Sequence, residues 1–236
     1  MDILVRGAAD LGLHLTPQQV GQFQLYLREL LEWNRRVNLT AIVEPEEVQR
    51  LHLLDSLSLL QAMPPSARGG RLLDVGTGAG FPGLPLKIAL PRLSLAMIEA
   101  TGKKVRFLEH IVNVLGLDGV KIHRGRAEEL AHVAGLREAF DVVTARALAP
   151  LSELAELALP FCRRGGVVAL PKKGQIEDEV NAAARALDLL GGRLVEVRRV
   201  GLEGLRDDRF ILVVEKVGET PAGYPRRPGI PHKRPL

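Results

Sequence analysis

The segment Arg71-Leu-Leu-Asp-Val-Gly-Thr-Gly-Ala-Gly-Phe-Pro-Gly83 decides the fold, because it places four glycines within eight positions directly after an apolar run. A short buried strand at 72–75 is expected before the glycines, and a helix at 82–90 after them. Glycines in such a loop tolerate positive φ and let backbone amides approach a ligand. The segment therefore predicts a ligand-binding loop at the carboxyl end of a parallel strand.

Short apolar runs alternate with helical patterns from this segment onwards. We expect strands at 72–75, 93–99, 120–123, 140–145, 167–170, 194–200 and 210–215. We expect helices at 82–90, 102–115, 127–133, 151–161 and 176–190. Such alternation implies right-handed crossovers and a sheet covered on both faces. The predicted fold class is a doubly wound, Rossmann-like α/β sheet of seven strands, mostly parallel, with a final antiparallel hairpin closed by the short connection 201–209.

The segment before the sheet, residues 1–65, has a helical pattern. Thr16-Pro-Gln-Gln19 combines an N-cap, a proline at the first helical position and a capping-box glutamine. A second helix is expected from about residue 45 to 63. The chain therefore divides into a helical extension (1–65), a ligand-binding domain (66–220) and a C-terminal tail (221–236).

The formal charge of +4, from 32 Lys and Arg against 28 Asp and Glu, resides in the tail. That segment has five prolines and no acidic residue, and its cations are Arg226, Arg227, Lys233 and Arg234. This composition predicts an extended arm that contacts a polyanion. A solubilising tail, or a tail that packs across the sheet, are the alternatives.

Composition also limits the function classes. Cys162 is the only cysteine, so no disulfide can form within the chain and a cysteine-based metal site is not expected. No apolar run approaches the roughly 20 residues that cross a bilayer, and no secretory signal pattern opens the chain. We therefore expect a cytoplasmic protein with no membrane span and no metal.

Acidic residues around the glycine loop indicate which ligand it binds. Gly78-Ala-Gly-Phe-Pro-Gly83 fits the G-x-G-x-x-G pattern of dinucleotide sites, but Asp74 before it would repel a pyrophosphate. Glu99 ends the second strand, where it can accept hydrogen bonds from ribose hydroxyls. Ala127 and Glu128 follow the third strand and offer an amide and a carboxylate to an adenine edge. Together these residues favour a cationic, phosphate-free cofactor, unless the acids only cap helices.

The stretch Asp74-Val-Gly-Thr-Gly-Ala-Gly-Phe-Pro-Gly-Leu-Pro-Leu86 resembles motif I of class I methyltransferases. More narrowly, nearly the whole chain resembles the bacterial 16S rRNA guanine-N7 methyltransferase family (RsmG, also called GidB). Further segments that carry the resemblance are Val37-Asn-Leu-Thr40, His52-Leu-Leu-Asp55-Ser56, Gly102-Lys-Lys-Val-Arg-Phe-Leu108, Arg126-Ala-Glu128, Ala145-Arg-Ala147, Lys173-Gly174 and Tyr224-Pro-Arg-Arg-Pro-Gly-Ile-Pro231. The segment Leu170-Pro-Lys-Lys-Gly174 departs from the simpler Leu-Lys-Gly expected there, so either lysine can match the family lysine.

The resemblance implies a class I methyltransferase sheet that binds S-adenosylmethionine and methylates N7 of a guanine in the 530 loop of 16S rRNA. The partner is then 16S rRNA, the small ribosomal subunit or its assembly intermediate, and we expect a monomer. Arg146 belongs to the cofactor site in that family; its planar cation can hold a carboxylate or a phosphate. The expected cofactor-binding residues are Asp74, Gly76, Gly78, Phe81, Glu99, Ala127, Glu128 and Arg146.

The residues also limit the methylation chemistry. Pyrimidine C5 methylation needs a cysteine nucleophile, and Cys162 is placed for packing. Amine methylation uses an Asn/Asp-Pro-Pro-aromatic segment after the fourth strand, where this chain has Thr144-Ala-Arg-Ala-Leu-Ala-Pro150. Guanine N7 has a free lone pair, so its methylation needs positioning and electrostatics but no general base. We predict Arg146 as the catalytic residue, acting by positioning and electrostatics. Asn38, His52 and Asp55 can either take part directly in function or form a polar support beneath the active site.

Clustered cations predict an RNA surface. Three of them fall in the first turn of a helix, where the macrodipole disfavours cations. With further cations after the fifth strand and in the tail, they can form a stripe of phosphate contacts. The predicted RNA-binding residues are Lys103, Lys104, Arg106, Lys172, Lys173, Arg226 and Arg227. The chain has one Trp, two Tyr and six Phe, which favours one extruded guanine over a platform of stacked bases.

Two other functions fit the same fold. An NAD-dependent oxidoreductase would share the loop and the ribose acid, but we find no catalytic Tyr-Lys or His-Asp set after the fourth strand. A noncatalytic RNA- or ribosome-binding module would have no need for the glycines, Glu99 and Arg146.

Overall fold

The computed structural model describes residues 1–146, 149–202, 205 and 208–236. Seven strands in these residues form a single sheet. They are β1 (Arg71–Val75), β2 (Ser94–Glu99), β3 (Val120–Arg124), β4 (Phe140–Ala145), β5 (Cys162–Lys173), β6 (Gly192–Arg199) and β7 (Arg209–Lys216). Their order is β3-β2-β1-β4-β5-β7-β6. β7 runs antiparallel to both β5 and β6, whereas the other neighbouring strands pair in parallel. This confirms the predicted mostly parallel sheet with a final antiparallel hairpin.

Helices cover the sheet and precede it. They are α1 (Asp2–Asp10), α2 (Pro17–Val37), α3 (Pro45–Val48), α4 (Asp55–Ser58), α5 (Gly83–Ala89), α6 (Gly102–Val114), α7 (Ala127–Leu130), α8 (Leu151–Ala158), α9 (Glu177–Leu189) and α10 (Ile230–Lys233). The capping box predicted at Thr16 is present: its side chain accepts from the Gln19 amide, and Gln19 accepts from the Thr16 amide. Within the described ranges, no helix has the length and apolar character required to cross a membrane.

The order of the strands creates the position for a ligand. β1 pairs with β2 on one side and with β4 on the other, so the chain reverses its direction of winding between β1 and β4. In doubly wound sheets, ligands bind beyond the carboxyl ends of the strands at this reversal. The glycine loop follows β1 and Arg146 follows β4, which brings both to the same edge.

The N-terminal helices share one hydrophobic core with the sheet. Phe23 and Tyr26 of α2 are fully buried in a cluster that also contains Leu84, Leu95 and Phe107. The extension therefore packs as a layer on the sheet, on the side of α5 and α6.

Several boundaries differ from the sequence prediction. The helix expected at 45–63 is α3, a π-helical segment Gln49–Leu54, α4 and a 3₁₀ turn Leu59–Gln61. The strand expected at 167–170 extends over Cys162–Lys173, because Cys162 pairs with Phe140 of β4 at its start and residues 167–173 pair with β7. The helical pattern of residues 1–65 includes α1, and α7 is shorter than the predicted helix 127–133. Ala147 and part of the connection 201–209 lie outside the described residues.

The tail is folded onto the protein, contrary to the extended arm that its composition predicted. Arg137 donates to the tail carbonyls of Pro221 and Tyr224 and to the carbonyl of Thr220 just before the tail, at 2.7–3.2 Å. Tyr224 packs against the core cluster under α7 and α8. These contacts supply the partners that a proline-rich segment lacks by itself, so the alternative of a packed tail is the one observed.

Candidate active site

The glycine loop is fastened to β2. The amides of Gly76 and Thr77 both donate to the Ile98 carbonyl, at 2.9 and 3.1 Å. Gly76, Gly78 and Gly80 all have positive φ, of 67°, 62° and 98°. That region disfavours side chains, so the path of the loop requires glycine at these positions.

The loop glycines serve two different purposes. A Cβ at Gly80 would collide with Leu84 Cδ1, and a Cβ at Gly83 would lie 2.9 Å from Asp74 Oδ2. These two glycines allow close packing within the protein. A Cβ at Gly76 or Gly78 would meet no atom of the described residues within 4 Å. The space in front of these two residues is open and can be occupied by a ligand.

Asp74 lies beneath the loop and is fully buried. Its Oδ2 accepts hydrogen bonds from Thr77 Oγ1 at 2.6 Å and from the Gly83 amide at 2.8 Å. Burial raises the pKa of Asp74 to about 6, although both hydrogen bonds act to lower it. The other oxygen, Oδ1, has no hydrogen-bond partner among the described residues. A buried carboxylate with one free oxygen is suited to a cationic donor.

Glu99 connects the loop to the start of α6. Its Oε2 accepts from the Gly78 amide at 3.1 Å, and its Oε1 accepts from the Thr101 amide at 2.7 Å. The two bonds fix the carboxylate at the end of β2 beside the open space. Each oxygen retains a second lone pair, so the group can also accept from a diol.

Ala127 and Glu128 begin α7 at the end of the same edge. Ala127 is buried, whereas Glu128 is partly exposed and its Oε1 accepts from the Gly229 amide at 3.0 Å. The tail therefore runs directly beside the position predicted for an adenine edge. The sequence did not indicate this neighbour, because the two residues are 101 positions apart.

Arg146 is the centre of a polar network that joins β4 to the N-terminal extension. Its Nη1 donates to Asp55 Oδ2 at 3.1 Å and to the Leu51 carbonyl at 3.3 Å, and its Nη2 donates to His52 Nδ1 at 3.2 Å. Asp55 Oδ1 in turn forms an ion pair with Arg209 of β7. One buried carboxylate therefore holds two guanidinium groups at the edge of the sheet.

The bonds of Arg146 determine the state of His52. A guanidinium can only donate, so His52 Nδ1 is an acceptor and the ring proton is on Nε2, which donates to Thr40 Oγ1 at 2.7 Å. Burial, together with the Arg146 cation, lowers the pKa of His52 to about 3. His52 is therefore a neutral ring that positions Arg146, and it does not exchange a proton near neutral pH.

Phe81 joins the glycine loop to the same network. Its ring stacks with His52 at 4.6 Å and with Tyr26 at 5.3 Å between ring centres, and the Arg146 guanidinium lies 5.1 Å from its centre. The Tyr26 hydroxyl donates to the Ala79 carbonyl at 2.6 Å, and burial raises its pKa well above the usual value. Sequence reasoning missed Tyr26, although its spacing of three from Phe23 placed it on the apolar stripe of α2.

A cavity of about 910 Å³ opens beside this network, beyond the carboxyl ends of β4 and β5. Its walls include Leu51, His52, Asp55, Arg146 and Arg209, so the extension and the sheet enclose it jointly. Further lining residues are Ala149, Pro150, Pro171, Lys172, Lys173, Asp178, Glu179 and Phe210. The glycine loop, residues 76–83, does not line it. Arg146 therefore stands between two spaces, one over the glycines and one beyond β4.

The predicted RNA-binding cations fall into two groups. Lys103 and Arg106 are exposed on the first turns of α6, Lys104 is half-buried there, and none of the three forms an ion pair with a described residue. Lys173 and Arg227 are also exposed, on β5 and in the tail.

The second group is engaged within the chain. Lys172 donates to the Ala149 carbonyl at 2.5 Å, pairs with Glu179 and is 8% exposed. Arg226 holds both oxygens of Glu156, which is fully buried. Each of these two side chains therefore already neutralises a carboxylate of the protein, and contact with RNA stays a prediction for both groups.

The sequence is similar to that of a known family over most of its length. The family model described as rRNA small subunit methyltransferase G matches residues 19–207. A protein of that name from Dehalococcoides mccartyi is 51% identical and covers all of both chains. Another from Moorella thermoacetica is 45% identical, over 99% of this chain and 97% of its own.

Solved structures of lower identity share the fold. A SAM-dependent methyltransferase from Aquifex aeolicus aligns with a TM-score of 0.55 and 20% identity, over 74% of this chain and 94% of its own. TrmN from Thermus thermophilus aligns with a TM-score of 0.52 and 22% identity, over 70% of this chain and 48% of its own. These alignments identify the sheet as that of class I methyltransferases.

Proposed function

Because the chain belongs to the rRNA small subunit methyltransferase G family, we propose that it transfers a methyl group from S-adenosylmethionine to N7 of a guanine in the 530 loop of 16S rRNA. The observation that carries the proposal is the open space over Gly76 and Gly78, bordered by acids that are already fixed in position. A phosphate-free, cationic cofactor is the ligand that suits those acids.

The residues around the loop fit S-adenosylmethionine group by group. Oδ1 of Asp74 lacks a partner among the described residues and would accept from the ammonium. Glu99 would accept from the ribose hydroxyls, and the Ala127 amide with Glu128 would meet the adenine edge. Arg146 has donors beyond the three bonds that it makes, and these would hold the carboxylate. When bound, the cofactor supplies a methyl group on a cationic sulfonium.

The chain's own residues act in this reaction by positioning and electrostatics. A guanine N7 is unprotonated at neutral pH, so no proton has to be removed before it attacks. Around the edge, His52 accepts from Arg146 through Nδ1, Asp55 is held between two arginines, and Asp74 is buried beneath the loop. Each group has a structural partner, and the function left to them is to fix the approach of the two reactants.

The three parts of the chain have separate roles in this proposal. The extension (1–65) encloses the substrate side through His52 and Asp55, the domain (66–220) binds the cofactor, and the tail (221–236) borders the adenine side at Glu128. One chain supplies all of these walls, so we propose a monomer that acts on the small subunit or its precursor in the cytoplasm. Light scattering of the purified protein measures whether it is a monomer.

The decisive test maps N7-methylguanine in rRNA from cells with and without the gene, by borohydride reduction and aniline cleavage. Loss of one methylated guanine in the 530 loop, restored by the wild-type gene, is the expected result. Calorimetry with S-adenosylmethionine and with NADH separates the oxidoreductase, which would bind only the latter. Transfer of a tritiated methyl group to small subunits separates the noncatalytic module, which would bind subunits without labelling them.

A further inference from the structure

The cavity beyond β4 and β5 has the size and the walls of a nucleobase pocket. Its volume of about 910 Å³ lies within the range of small-molecule sites. Apolar surfaces from Leu51, Pro150, Pro171 and Phe210 line it together with charged side chains. Bases extruded from RNA are held in such pockets by stacking and by hydrogen bonds to their edges.

The chemistry of guanine indicates what the far wall must provide. N7 and O6 lie on one edge of the base and are both acceptors, whereas N1–H and the N2 amine lie on the other edge and are donors. If N7 faces the cofactor at β1, the donor edge points along the sheet towards β5 and α9. An acceptor is then required on that wall, and a carboxylate can accept from both donors at once.

Glu179 of α9 is the carboxylate that meets this requirement. It lines the cavity, and Lys172 holds its Oε1 while also donating to the Ala149 carbonyl. Lys172 therefore fixes the orientation of the Glu179 carboxylate through Oε1. The other oxygen, Oε2, has no hydrogen bond to any residue in the described ranges. Asp55, by contrast, has both oxygens bound to arginines, so it cannot serve the base without releasing one of them.

We propose that this cavity receives the target guanine and that Glu179, held by Lys172, accepts hydrogen bonds from its N1–H and N2 amine. The inference rests on the proposed function and adds the residue that selects the base. Methyl transfer forms the N7–CH₃ bond as the C–S bond breaks and its electron pair goes to sulfur, so one positive charge moves onto the purine. A carboxylate at the donor edge interacts more strongly with that charged ring than with neutral guanine.

The test uses small subunits reconstituted with either guanine or inosine at the methylated position. Inosine keeps N7, O6 and N1–H but lacks the N2 amine. Wild-type protein should prefer guanine by roughly 10- to 100-fold in kcat/KM, the effect of one hydrogen bond to a charged group. In Glu179→Gln that preference should fall to about 3-fold or less, and activity on guanine should fall by roughly 10- to 100-fold. The affinity for S-adenosylmethionine, measured by calorimetry, should stay unchanged.

Glu177→Gln is the matched control, since Glu177 is an exposed acid of the same helix and is not among the lining residues of the cavity. It should retain the preference of the wild type for guanine. If Glu179→Gln does not fold, Glu179→Asp carries the same comparison, because it retracts the carboxylate by one methylene.

Failure of this inference differs from failure of the proposed function. Wild-type protein that methylates guanine and inosine equally would overturn the role of the N2 contact. A Glu179→Gln protein with the full preference, or loss of the preference in Glu177→Gln alone, would remove Glu179 from the site. Wild-type protein that binds S-adenosylmethionine but methylates no subunit would instead contradict the proposed function.

Discussion

Replacing Arg226 with alanine should destabilise the protein far more than the same change at its neighbour Arg227. Arg226 binds both oxygens of Glu156 through Nε and Nη2, at 2.6–3.2 Å, and its backbone amide adds a bond of 2.8 Å. Glu156 is 0% exposed, so its charge depends on this partner. Arg227 is exposed, which makes it a matched control of the same residue type.

The magnitude follows from the burial of the pair. Removing one partner from a buried ion pair costs about 3–5 kcal/mol, because the remaining charge has no compensation. The Arg226 side chain retains 26% exposure, and solvent therefore screens part of the interaction. We expect a loss near the lower limit, about 3 kcal/mol, or roughly 6–12 °C in Tm for a chain of this size. Arg227→Ala should change stability by less than about 0.5 kcal/mol.

Thermal unfolding followed by circular dichroism measures both variants, and Glu156→Gln completes the comparison. That variant should lose less stability than Arg226→Ala, because the released arginine can reach water whereas the released glutamate cannot. Tm values for Arg226→Ala and Arg227→Ala that agree within about 2 °C would refute the structural role of the pair. If Arg226→Ala instead weakened RNA binding at unchanged Tm, the prediction that Arg226 binds RNA would be supported.

Four further predictions address the cofactor and the RNA. Gly78 and the remote control Gly12 both have positive φ and face open space, so their alanine variants should lose similar stability. Only Gly78→Ala should lose affinity for S-adenosylmethionine in calorimetry, and equal affinities of the two variants would contradict the loop assignment. With an Asp74 pKa of about 6, the carboxylate that pairs with the ammonium is lost as pH falls, so cofactor affinity should decrease below pH 6 in the wild type and stay level in Asp74→Asn. Lys103→Ala and Lys104→Ala should each make the log K against log[salt] slope for RNA shallower by about 0.7–0.9, and an unchanged slope would exclude phosphate contact. The single-turnover rate should be nearly flat from about pH 6.5 to 8.5, whereas a unit slope would reveal a general base.

The sheet could be predicted because its signals are local. Each strand is a short apolar run next to a helical pattern, and the predicted strand 140–145 agrees with β4, Phe140–Ala145. The hairpin of β6 and β7 followed from the length of its connection. The glycine loop could be predicted from the spacing of its glycines. Glycine is the residue type that adopts positive φ most readily, and Gly76 and Gly78 both have positive φ in the structure.

The polar network could not be predicted, because its partners are distant in sequence. Arg209 and Asp55 are 154 positions apart, and Arg226 and Glu156 are 70 apart. Nothing in the chain near Glu156 distinguishes it from a solvated helix residue. The tail was misjudged for the same reason: its composition predicts no core of its own, while its stability comes from Arg137 and the acids of α7 and α8.

The placement of charge at the carboxyl edge is consistent with chemistry on a lone pair. An enzyme that removes a proton needs a group free to receive it, with a pKa near the working pH. Here His52 is neutral with a pKa of about 3, and its lone pair on Nδ1 is occupied by Arg146. Asp55 is neutralised by two arginines, and Lys172 neutralises one oxygen of Glu179. These pairs fix donors and acceptors around two adjoining spaces, one over Gly78 and one beyond β4, with Arg146 between them. Asp74, whose pKa burial raises to about 6, lies beneath the loop, where we assign it to the ammonium of the cofactor. An arrangement that aligns two reactants among groups that already have these roles is what transfer to guanine N7 requires.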